Sequence, residues 1–110
     1  MSELLQKQFI FTANVALLIK YIFDSGNYCT LGEVYRPPET AKLFAKEGRG
    51  ITKSLHCDRM AIDINLFSPE GKYENKSSAY SHVGKYWESL HPDNKWGGSF
   101  SDGNHFQMDL

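Results

Sequence analysis

Cysteine is scarce in this sequence. Only Cys29 and Cys57 occur, with no CxxC pair, which argues against a disulfide scaffold and fits free thiols in a reducing cytosol. A basic excess is also missing. Twelve Lys and Arg face thirteen Asp and Glu, for a net charge of −1, so no nucleic-acid partner is expected. The longest apolar run, "VALLIKYIF", is too short to span a bilayer and holds Lys20. The start, "MSELLQKQF", carries Glu3, and no small-residue cleavage site follows the apolar run; neither membrane insertion nor a signal peptide is expected. Repeats, low-complexity tracts and linkers are absent too. What remains is ordinary globular composition, 41% hydrophobic and 23% charged over 110 residues. That suggests one domain, 1–110.

Periodicity organises the chain. Phe11, Val15, Leu18, Ile19 and Ile22 recur at helical spacing, which predicts an amphipathic helix over about 3–24, capped by Ser2 and stopped near Gly26. "YCTLGEVYR" is rich in β-formers and reads as a strand over 28–36, ended by Pro37 and Pro38. A short helix is expected over 39–46, then a loop, "EGRGITKS". In the next strand Met60, Ile62, Ile64 and Leu66 share one face and Ala61, Asp63, Asn65 and Phe67 the other. A turn and a short strand over 72–74 lead to a helix over 77–90, with Tyr80, Val83, Trp87 and Leu90 on its core side. A long polar loop, "HPDNKWGGSFSDGN", precedes a last alternating segment, "HFQMDL". Phe106, Met108 and Leu110 face one way there, His105, Gln107 and Asp109 the other. One long helix, short strands and no regular βαβ alternation predict an α+β fold: a small antiparallel sheet with a long N-terminal helix and flanking helices.

Two polar strand faces stand out. One carries Asp63, with His56 seven residues earlier; the other carries His105, with Asp102 three residues earlier. Two histidines and a carboxylate form the ligand set of a catalytic zinc site that keeps a position for water. Asp102 could then serve as the general base. The same alternation also suits plain solvated strand faces, and Arg36 at a strand end could be a surface cation. Ser54, Asn65 and Gln107 suit a hydrogen-bonding shell or a substrate cleft. Trp96 could line that cleft or anchor its loop. His82 and His91 lack partners at ligand spacing and read as surface histidines, and Cys57 reads as a buried thiol.

Three segments in order carry a family resemblance. "SLHCDRMAID" resembles the SxHxxGxAxD motif of the D-alanyl-D-alanine carboxypeptidase and dipeptidase family of zinc peptidases. "DGNHFQ" resembles the family's second motif, and "GEVYRPPE" its upstream segment ending in an arginine. The likeness runs from about Leu31 to Gln107. In length and order the chain is similar to small phage members, among them L-alanyl-D-glutamate endopeptidase endolysins.

The resemblance implies a hedgehog/D-Ala-D-Ala peptidase-like fold and a Zn2+ cofactor held by His56, Asp63 and His105. It implies Asp102 as the catalytic acid/base and Arg36 as the stabiliser of the developing oxyanion. Ser54 matches the motif serine that contacts substrate, and Gln107 and Trp96 are further candidates for substrate contact. The implied substrate is a peptidoglycan stem peptide, cut either at L-Ala–D-Glu or at D-Ala–D-Ala, and a non-catalytic zinc module is the competing reading. A monomer is expected, made in the host bacterial cytoplasm and then released to the wall. One departure stands out: Arg59 occupies the motif glycine's place, which predicts an altered turn after His56 or a modified cleft.

Overall fold

Ser2 opens the first helix by accepting a hydrogen bond from the Leu5 N–H at 3.1 Å, which satisfies one of the free donors of the first turn. In the computed structural model, which describes residues 1–51 and 54–110, this helix, α1, spans Glu3–Asp24. Thr52 and Lys53, part of the expected "EGRGITKS" loop, lie outside the described residues. Phe11, Leu18 and Ile22 are buried as their spacing predicts, joined by Asn14. Gly26, at φ +87°, ends the helix in a conformation that suits glycine.

Strand β1 is Tyr28–Leu31, shorter than the β-rich composition suggests. Its antiparallel pairing with β2, Ala61–Phe67, stops at Leu31 opposite Ile64. Two further backbone bonds follow, Gly32 N–H to the Asp63 carbonyl and Asp63 N–H to the Glu33 carbonyl. Then Arg36 gives its N–H to the carbonyl of His56 instead, at 3.1 Å. The chain leaves the sheet at that point because a neighbouring turn takes its donor. Helix α2, Pro38–Lys46, follows, with Pro38 in its first turn.

The expected strand over 72–74 reduces to one bridge, between Phe67 and Tyr73. The helix expected over 77–90 begins as a 3-10 turn, Ser77–Tyr80, and continues as α3, Ser81–Leu90. The long polar loop holds a three-residue strand, β3, Asn94–Trp96, and a 3-10 turn, Gly97–Phe100. Strand β4 is His105–Met108. The four strands lie in the order β1-β2-β4-β3, each neighbour antiparallel.

The sheet's two faces differ sharply. Met60, Ile62, Ile64, Leu66, Phe106 and Met108 form one core with Phe11, Leu18 and Ile22 of α1 and with Val83 and Trp87 of α3. Trp87 is edge-on to both Phe11 and Phe106, at centroid distances of 5.6 and 6.1 Å. Two positions depart from strict alternation. Ala61 is buried although it belongs to the polar set, and Leu110 is exposed although it belongs to the apolar one. The opposite face brings Asp63 level with His105 across the β2–β4 pair.

Candidate metal centre and active site

The register that pairs Asp63 with His105 supplies two of three converging donors. The third, His56, comes from a 3-10 turn, Leu55–Asp58, just before β2. Ser54 caps this turn, its Oγ accepting from the His56 N–H at 3.2 Å. From α1, Gln8 donates to the Asp58 carbonyl at 2.8 Å. The turn closes through Arg59 in the left-handed region, φ 55° and ψ 38°. The backbone there takes a conformation that glycine favours, with an arginine in it. That costs about 1–2 kcal/mol relative to a right-handed residue. The Arg59 guanidinium lies 4.0 Å from the Tyr35 ring centroid, an attraction that offsets part of the cost.

Hydrogen bonds define how the rings face. His56 Nδ1 lies 3.0 Å from the carbonyl oxygen of Val34. A carbonyl only accepts, so Nδ1 carries the hydrogen and Nε2 turns a lone pair inward. His105 Nε2 lies 2.7 Å from Gln107 Oε1, and Gln107 Nε2 donates to Asp109 Oδ1 at 2.7 Å. That chain places the hydrogen of His105 on Nε2 and leaves Nδ1 facing Asp63. Both inward nitrogens sit 3.4 Å from Asp63 Oδ1.

Two lone pairs aimed at a carboxylate oxygen repel unless a positive charge sits among them. The three ligand atoms lie within 4.8 Å of one another. A tetrahedral zinc with bonds of roughly 2.0–2.1 Å has ligand–ligand edges of about 3.3–3.4 Å, and the two His–Asp separations match that edge. The donor set and its spacing therefore fit zinc. Without a metal, a proton does the same work. Burial pushes the Asp63 carboxyl up, but hydrogen bonds and charge from His105 and His56 outweigh it and lower its pKa to about 2. Burial pulls His105 down, yet bonding to Asp63 and Gln107 and the charge of Asp102 raise it overall.

Asp102 stands at the edge of this cluster, with Oδ2 4.0 Å from His105 Nδ1 and its side chain 53% exposed. It is held by its backbone: its N–H donates to Gly97 O at 2.9 Å, and its carbonyl accepts from the His105 N–H at 3.0 Å. Any Cβ at position 97 would come within 2.3 Å of that carbonyl. Arg36 is only 14% exposed, and its Nε donates to Glu33 Oε1 at 2.8 Å while Nη2 pairs with the same oxygen. Nη1 is left to face Gly50. His56, Asp63, Asp102, His105 and Arg36 line one open cavity of about 570 Å³.

Ser54 and Gln107 also line that cavity, but each has a structural task in the cluster: one caps the His56 turn, the other orients His105. Trp96 is placed differently from the cleft-lining alternative. Its ring fits where Cβ atoms of Gly84 and Gly98 would be, and its Nε1–H donates to Gly103 O at 2.7 Å. It anchors the loop that carries Asp102. His82 bonds to Tyr21, and His91 accepts from the Asp93 N–H. Cys57 is half-buried. Sequence reasoning passed over Glu33, which sits three residues before Arg36 and fixes its guanidinium. The opposite charges at that short spacing were the available signal.

The α+β fold, with helices packed on one face of the antiparallel sheet, is shared with a solved structure. That structure is the L-Ala D-Glu endopeptidase ChiX of Serratia marcescens, which superposes with a TM-score of 0.73 over 90% of this chain and 77% of that one, at 19% identity. At that identity the likeness is one of fold. A search of curated proteins finds no match to the sequence. The family model described as D-alanyl-D-alanine carboxypeptidase matches residues 47–108. That is more than half of the chain, and it takes in all three clustered donors and Asp102. The chain belongs to this family of peptidases.

Proposed function

We propose that the protein is a zinc-dependent peptidase that hydrolyses stem peptides of bacterial peptidoglycan, as an endopeptidase at the L-Ala–D-Glu bond. The observation that carries this reading is the convergence of two histidine lone pairs on Asp63, with a half-exposed carboxylate, Asp102, 4.0 Å from His105 in an open cleft. Zinc held by His56, Asp63 and His105 would polarise the scissile carbonyl and make water acidic enough to attack at neutral pH.

The chain's own groups do the rest. Asp102, largely solvated, takes the proton from the attacking water and returns it to the leaving amine. Arg36 donates through Nη1 to the carbonyl oxygen as negative charge builds there, and Glu33 keeps the guanidinium from swinging away. Gln107 and Asp109 hold His105 in one tautomer. The L-Ala–D-Glu assignment draws on the fold neighbour's activity and on the sequence likeness to phage endolysins, which also suggests action on the wall after release from a host cytoplasm. The family's description favours a second reading, removal of the terminal D-Ala.

Metal analysis and digestion of purified peptidoglycan test both readings. One zinc per chain and new L-Ala carboxyl and D-Glu amino termini are expected. Released D-Ala would favour the second reading, and absence of bound zinc would end both. Asp102→Asn should keep the zinc and lose roughly 100-fold or more in kcat; unchanged turnover would remove Asp102 from the reaction.

A further inference from the structure

The cavity holds a second arginine that the hydrolytic steps do not use. Arg49 lines it beside Arg36, Gly50 and Ile51. The two arginines share one aromatic support: the Phe44 ring lies 5.1 Å from the Arg36 guanidinium carbon and 4.3 Å from that of Arg49. Their pairings differ. Arg36 is enclosed and fixed by Glu33, whereas the Arg49 side chain is 59% exposed and bonds to Glu47, itself 46% exposed. An exposed ion pair of this kind contributes little and exchanges readily for another carboxylate. Neither Glu33 nor Glu47 lines the cavity, so both counter-charges lie outside the space a substrate would fill. Gly50 follows Arg49 in the chain and lines the same cavity. A Cβ there would lie 3.4 Å from Arg36 Nη1, so this stretch of backbone borders that donor.

The charge balance points to an anion. Within the cavity the acidic side chains are Asp63 and Asp102. A divalent cation on the cluster would neutralise the first and leave the cleft positive. The chemistry of the candidate substrates supplies the anion. In L-Ala–D-Glu the glutamate is linked onward through its side chain, so its α-carboxylate is free. In D-Ala–D-Ala the last residue ends in a carboxylate. Both bonds thus place a free carboxylate on the carbon that bears the leaving nitrogen.

We propose that Arg49, stacked on Phe44 and opening onto Gly50, is a specificity-determining residue that holds this α-carboxylate. The proposal rests on the peptidoglycan-peptidase reading and goes beyond it by naming what the cleft recognises. Amidation of that carboxylate, which turns D-Glu into D-isoglutamine, should remove the contact.

The test uses the zinc-loaded full chain and two tripeptides, L-Ala-γ-D-Glu-L-Lys and its D-isoglutamine counterpart. Wild type should prefer the acid by roughly tenfold or more in kcat/KM. Arg49→Gln should bring the ratio of the two close to one, and Arg49→Lys should keep an intermediate preference. A ratio untouched by Arg49→Gln, or no preference in wild type, overturns the proposal. Calorimetric binding of the product dipeptide γ-D-Glu-L-Lys gives a readout independent of turnover, and Arg49→Gln should weaken it roughly tenfold. If neither tripeptide is cut but the dipeptide binds through Arg49, the subsite stands and the L-Ala–D-Glu assignment falls. If both are cut equally well, that assignment stands and the subsite falls. Because Arg49 is exposed, the variants should melt with wild type.

Discussion

At His105 the orientation of the ring is decided two residues away. Gln107 accepts from Nε2 and is held by Asp109, just past the end of β4, so two alternate side chains line up behind the ring and set its inward nitrogen. Removing the middle link should leave the fold intact and the nitrogen poorly aimed. Gln107→Leu is expected to weaken zinc binding roughly 10–100-fold, measured by competition with a chromophoric chelator, with an unchanged circular dichroism spectrum. Alternation alone revealed which face these residues share. It could not reveal their order, because that depends on which atoms meet. Asp63 was legible for the same reason: it interrupts an aliphatic strand without breaking its period. Arg59 was the opposite case. Its side chain says nothing about a left-handed backbone, which the closure of the His56 turn imposes through the Met60 N–H bonding back to the Leu55 carbonyl.

Among the elements, the long helix and the central strand were readable because each has many residues repeating one period. Strand β3 was not, since three residues cannot show a period, and it is defined by its pairing with β4. Strand β1 ended early because its backbone donors found other partners, which composition does not record. The loop around Trp96 depends on close approach. Ideal Cβ atoms at Gly84 and Gly98 would each fall 2.1 Å from the indole. Gly84→Ala should therefore force the ring out of its seat and destabilise the fold by about 1–3 kcal/mol, despite alanine's better helix propensity. Denaturant unfolding checks the loss. Activity should fall with it, because the same loop carries Asp102.

For the molecule as a whole, the cluster ties stability to pH in opposite ways with and without metal. In the metal-free chain, the lowered pKa of Asp63, about 2 against 3.8, adds stability above pH 3.8 that is lost as the pH falls through about 2. The raised pKa of His105 adds stability below its ordinary 6.5 that is lost as the pH rises through the raised value. Zinc bound as proposed would take the place of that proton, so its binding should release a proton near neutrality and strengthen as the pH rises. The gap in Tm between zinc-loaded and metal-free protein should widen from about pH 5 to about pH 8, read by scanning calorimetry; a constant gap would argue that His105 is not a ligand. The seat of Trp96 has an optical consequence. The chain's other tryptophan, Trp87, is sealed in the core, while the Trp96 indole bonds to Gly103, the residue next to Asp102. Replacing Trp87 with phenylalanine would leave one emitter, and its spectrum would report directly on where the Asp102 segment sits as ligands come and go.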